Sequence, residues 1–212
     1  MDLLEHNAVV SRAYSMVVLV LALLADSALA QKADLPDVKV GDQWQFVMYY
    51  TVPSATPNRA WVITSVTSMG IEGAENGEPL MLTPELNVLE SPRSEESNPK
   101  ALSFPLEVGK HWRYASDWVF KVTGSKGSSI VDVEVVGHEK VSVPAGDFEA
   151  FKLMSKGNIR GVSVKNSLIE AEVTSTYWYA PAARAIVKSV THNPYIGVTT
   201  VELIKFHPQP GA

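Results

Sequence analysis

The chain has 212 residues, of which 46% are hydrophobic and 19% charged, and it contains no cysteine. Those values describe an ordinary globular chain long enough to bury a core, and they exclude thiol catalysis, iron–sulfur ligation, cysteine zinc sites and disulfides. The net charge of −5 gives no electrostatic reason to bind nucleic acid or an anionic membrane surface.

The first element in chain order is an export leader. Residues 16–25 read MVVLVLALLA, Arg12 precedes them, and Ala28-Leu29-Ala30 comes after with small residues at the positions a signal peptidase reads. Residues 1–30 are therefore expected to be a signal peptide cut before Gln31. The apolar run is shorter than the roughly 20 residues a transmembrane helix needs, so no membrane anchor is expected in the mature protein. The leader holds three acids and one base, which leaves 17 bases and 20 acids, a net charge of −3, from position 31 onward.

Strands dominate the chain beyond the leader. Trp44, Phe46, Met48 and Tyr50 alternate along residues 43–51. Trp112, Tyr114, Trp118, Phe120 and Val122 share one parity along 112–122, while Arg113, Asp117 and Lys121 share the other. Period two with rings on one side predicts half-buried antiparallel strands. Further strands are predicted at 61–68, 130–136, 139–143, 148–154, 173–180, 185–191 and 199–206, all rich in Val, Ile, Thr, Tyr or Trp. Pro144-Ala145-Gly146-Asp147 reads as a tight turn, and residues 124–129 (GSKGSS) as a hairpin loop. Residues 158–171 are compatible with a short helix. Residues 83–101, polar and rich in proline and acids, read as a mobile linker.

The predicted fold is all-β: a curved antiparallel sheet or half-barrel, with few or no helices after the leader. One domain is expected over 31–206, with a tail at 207–212. Val40-Gly41-Asp42-Gln43-Trp44-Gln45-Phe46 and Val108-Gly109-Lys110-His111-Trp112-Arg113-Tyr114 share the form V-G-x-x-W-x-aromatic. This repeat admits two related β units, 38–82 and 102–206, joined by the linker. It also admits two strands that merely begin alike.

No reactive constellation is visible. His111, His138, His192 and His207 have no metal-ligand spacing between them, and Glu72, Glu75 and Glu78 lie among glycines as a solvated loop would. A phosphate loop, a nucleophile elbow and a dinucleotide fingerprint are all missing. The expectation is a protein with no catalytic residues, no metal and no cofactor. The aromatic residues Trp44, Trp61, Trp112, Trp118, Tyr177, Trp178 and Tyr179 are the candidate ligand-binding set, lining a concave face for an apolar or lipid-like molecule. An envelope protein pairing with a sheet edge is the other candidate partner.

The second half carries a recognisable series: Phe104-Pro105-Leu106, Val108-Gly109-Lys110 with Trp112, Val141 and Val143-Pro144-Ala145-Gly146 with Phe148, Tyr177-Trp178-Tyr179-Ala180-Pro181, and Ile186-Val187-Lys188. Across residues 102–190 it resembles the DUF3108-like family of exported bacterial proteins of unknown function. That resemblance implies a fold of curved-sheet, half-barrel type and implies no catalytic residues.

Overall fold

A computed structural model of the chain describes residues 32–51 and 58–209. The leader lies outside them. The strands are β1 (Lys32–Ala33), β2 (Gln43–Tyr50), β3 (Asn58–Val66), β4 (Ile71–Glu75), β5 (Glu78–Leu82), β6 (Val88–Glu90), β7 (Ser94–Glu96), β8 (Leu106–Glu107), β9 (His111–Phe120), β10 (Ser125–Val143), β11 (Gly146–Val162), β12 (Leu168–Ala180), β13 (Ala185–Asn193) and β14 (Gly197–His207). A single 3-10 turn, Pro181–Ala183, joins β12 to β13, and no α-helix occurs among the described residues.

Twelve of these strands close into a barrel in chain order, β2 through β7 and then β9 through β14, with β14 returning to pair with β2. All the pairings are antiparallel. The expected open sheet or half-barrel is thus corrected to a closed ring. Two contacts close it: β14 on β2, with Phe206 opposite Trp44, and β7 on β9, with Glu96 opposite Trp118. Residues 83–101, read as a linker, instead supply β6 and β7 to the wall. They are ordered by polar side chains rather than apolar periodicity. Asn87 exchanges two hydrogen bonds with the backbone of Leu102, at 2.9 and 2.8 Å, and Ser97 Oγ accepts from the Asp117 amide at 3.1 Å. Residues 158–171 form no helix; they are the end of β11, a turn and the start of β12. Of the GSKGSS loop, Ser125 onward belongs to β10.

The two V-G-x-x-W motifs build the same turn. Gly41 and Gly109 both adopt positive φ, +91° and +89°, which favours glycine. The Gly41 amide donates to Ile63 O while the Ile63 amide donates to Asp42 O. In the second copy the Gly109 amide donates to Val135 O and the Val135 amide to Lys110 O. Ile63 and Val135 each sit at a register shift in their strand. The repeat in sequence is therefore a repeat in hydrogen bonding: a glycine turn locked onto a bulge of the following wall strand.

Inward parity follows the aromatic residues only in part. Trp44, Phe46 and Met48 are buried on β2, and Trp118 on β9. Phe120 and Val122, expected on the same buried face, are exposed because the strand ends at Phe120 and the chain turns there. Gly127 on β10 pairs with Gly161 on β11. A Cβ at Gly127 would lie 2.2 Å from Arg160 O and 2.7 Å from the Trp118 ring, so the absence of a side chain there makes room for both the neighbouring backbone and the indole.

Two apolar clusters fill the interior. One gathers Trp44, Phe46, Ile63, Leu80, Leu82, Val187 and Leu203; the other joins Val133, Val135, Phe151, Leu153 and Tyr179 to Ala33, Leu102 and Leu106. The second is formed where the small sheet β1–β8 and the segment before it pack on β10–β12. On the outer face, ion pairs run across neighbouring strands, among them Arg160 with Glu170 and Lys188 with Glu202, each at 2.8 Å. No described helix is long and apolar enough to cross a membrane.

Candidate functional site

A barrel of eight strands is just wide enough for its own side chains to fill. Twelve enclose more volume, and here the apolar clusters leave a cavity of about 320 Å³. Its wall is drawn from across the ring: Phe46 on β2, Arg59 and Trp61 on β3, Tyr114 on β9, Tyr177 on β12, Val201 on β14. The size lies at the lower end of small-molecule sites.

The seven sequence-predicted aromatic residues divide between several environments. Trp44, Trp61 and Tyr177 line the cavity. Trp44 is 1% exposed, donates from Nε1 to Ala183 O at 2.8 Å, and stacks on Phe206 with centroids 5.6 Å apart. Trp61 packs edge-on to Phe46 and donates to Glu75 Oε2 at 3.0 Å. The other four are not part of the cavity wall. Trp112 donates to Lys100 O at 2.7 Å and pins the segment after β7. Trp118 is buried against Phe120, its Nε1 without a partner among the described residues. Tyr179 is buried in the second cluster, edge-on to Phe104. Trp178 takes the opposite parity and forms an outer platform: Lys152 and Lys188 lie 5.4 and 6.0 Å from its ring centre, and its Nε1 donates to Glu139 at 2.8 Å.

Arg59 and Arg93 were not singled out from sequence. Glu75, read as part of a solvated loop, is 2% exposed. It shares the inward parity of Ile71 on β4, and two arginines meet its Oε1: Arg93 Nε at 3.2 Å and Arg59 Nε at 3.6 Å. Arg59 shares the parity of Trp61 and Ile63 on β3, and that spacing is the signal that places it inside. Burial pushes the Arg59 pKa down, and Glu75 opposes the shift. Arg184, at the end of the 3-10 turn, also reaches the wall but is held by buried Asp42 at 2.9 Å.

Glu96 lines the cavity from β7. Burial raises its pKa, and a hydrogen bond with Ser116 partly offsets this. The folded state therefore binds a proton more readily than the unfolded chain. The penalty of ionising Glu96 is absent below its ordinary value of 4.5 and grows as pH rises through the higher folded value. Glu96→Gln is expected to raise the melting temperature at pH 7.5 and to leave it unchanged below pH 4.5. Thermal scans across that range, read by circular dichroism, check the sign. Burial likewise raises the Tyr114 phenol pKa far above its usual range, so this ring stays neutral in the lumen.

No family model matches the chain, so the likeness to DUF3108-like proteins remains one of motifs. No curated protein matches it. Among solved structures it is similar to a protein from Bacteroides fragilis named as exported and as having a YmcC-like fold, with a TM-score of 0.53 at 18% identity over 82% of this chain and 99% of that one. It is also similar to a protein from Parabacteroides distasonis named as a lipoprotein, with a TM-score of 0.53 at 14% identity over the same shares of the two chains. At these identities the likeness establishes a shared fold.

Proposed function

We propose that the chain is an exported, non-enzymatic binding protein that holds a small molecule with an apolar body inside the barrel. The observation that carries this reading is the cavity itself, about 320 Å³ and walled by Phe46, Trp61, Tyr177 and Val201. Three of the rings expected on an open concave face, Trp44, Trp61 and Tyr177, line this interior space, where burial of a ligand removes more apolar area from water. The buried carboxylate Glu75 is already engaged by two arginines and Trp61. Export is supported by the leader motif at 16–30 and by the names of the two similar structures. The other reading, pairing of a partner with a sheet edge, has less support, since every wall strand has a neighbour on both sides and only strand ends, such as residues 168–173 of β12 on the β13 side, stay unpaired.

Tryptophan fluorescence tests the proposal, because Trp44 and Trp61 border the cavity. Titration with decanol below its solubility limit is expected to give a saturable change at one molecule per chain. Val201→Trp, which fills the space, is expected to weaken binding by roughly tenfold or more while the far-ultraviolet dichroism is retained. A wild-type protein with no saturable response, or a filled variant that binds equally well, overturns the reading.

A further inference from the structure

We propose that Arg59 is the anchor for an acid group on the lumen ligand, and that the ligand is a single-chain amphiphilic carboxylate. This rests on the lumen-binding reading and narrows it to a chemical class. Arg59 stands directly opposite Phe46 on the neighbouring strand, so a guanidinium and an apolar wall meet inside the cavity. Its Nε is buried without a hydrogen-bond partner among the described residues. The 3.6 Å to Glu75 Oε1 exceeds hydrogen-bond reach.

Glu75 gives it no hydrogen bond. Its Oε1 accepts from Arg93 and its Oε2 from Trp61. Two guanidinium groups thus share one carboxylate, and the cluster carries one uncompensated positive charge. The other arginine on the wall is matched by Asp42. Glu96, the acid that also faces the cavity, is driven by burial toward its neutral form, so it competes weakly for Arg59. A partly buried cation whose Nε is short of a partner favours an anion, and the planar fork of arginine fits a carboxylate through two parallel hydrogen bonds. The cavity offers Phe46, Trp61 and Val201 to a hydrocarbon tail. Together these features select a negative head on an apolar chain, and they disfavour an ammonium head, which the uncompensated guanidinium repels.

Three probes of equal chain length separate head from tail: decanoate and decyltrimethylammonium, kept below their critical micelle concentrations, and decanol, kept below its solubility limit, all at pH 7.5 with tryptophan fluorescence as the readout. Decanoate is expected to bind more tightly than decanol by roughly tenfold or more, and decyltrimethylammonium to bind most weakly. Arg59→Met is expected to abolish the preference for decanoate over decanol, bringing the two affinities within about threefold of each other. Glu75 keeps Arg93 in that variant, which protects the fold. Arg59→Lys restores the charge without the fork and is expected to recover part of the preference. Equal affinity of the wild type for decanoate and decanol overturns the head-group assignment and leaves the lumen reading standing. Failure of all three probes to bind overturns both. A decanoate preference that survives in a folded Arg59→Met protein assigns the charge recognition elsewhere and overturns the role of Arg59.

Discussion

Trp44→Ala is expected to lower the unfolding free energy by about 3–5 kcal/mol. Three losses combine to produce it. The indole is 1% exposed and sits in the larger apolar cluster, so its removal opens a void that surrounding strands cannot collapse into without breaking ladder hydrogen bonds. Its Nε1 no longer supplies a donor to Ala183 O, which is left buried beside the turn between β12 and β13. Phe206 loses its stacking partner across the β2–β14 closure. The effect is therefore placed at the join of the ring. Urea denaturation read by circular dichroism checks it, with the midpoint falling at unchanged slope. Trp178→Ala, which removes an outer ring held by two lysines and Glu139, is expected to cost about 1–2 kcal/mol. Equal losses from the two tryptophans would contradict the placement of one inside and the other outside.

Glu75→Gln is expected to destabilise by roughly 3 kcal/mol, toward the lower end for a broken buried ion pair, since both arginine partners keep partial access to water. The substitution preserves shape but leaves Arg59 and Arg93 facing each other with no anion between them. The origin of the cost is tested by a double variant. If it comes from stranded positive charge, Glu75→Gln combined with Arg59→Met loses less than the sum of the two single changes. A strictly additive result would mean that Arg59 and Glu75 do not interact in the folded protein.

The same residues show how much could be read before the fold was known. Alternation placed Trp44, Phe46 and Met48 on one buried face, and it holds as well for Trp112, Tyr114 and Trp118, because a strand's side-chain period is local. Phe120 and Val122 broke the pattern where the strand ended, a boundary that depends on the hairpin rather than on hydropathy. Ring closure was illegible for a different reason. It requires β14 to find β2 and β7 to find β9, and neither register is written in local periodicity. Residues 83–101 looked like a linker because β6 and β7 are short and their order comes from side-chain hydrogen bonds, Asn87 and Ser97 with backbone outside the segment and Ser91 with Ser94 across the turn between the two strands. Arg59 and Glu75 were the most instructive omissions. Each has the parity of buried neighbours, Trp61 and Ile63 in one case and Ile71 in the other. Both lie outside the predicted strands, which began again only at Trp61, so no strand phase was at hand to place them, and the glycines around Glu75 suggested a solvated loop.

Nearly every wall strand lies beside its neighbour in the chain, and so hairpins can assemble one after another with short loops to close. The meeting of β2 with β14 is the exception: Tyr50 faces Thr199 and Trp44 faces Phe206 only after the intervening strands are in place. Such a distant pairing carries the entropy of a very long loop, so it belongs to the late, slow part of assembly. Until it forms, the nascent protein has two raw flanks able to capture one another across molecules, and the hazard of misassembly is concentrated in that interval.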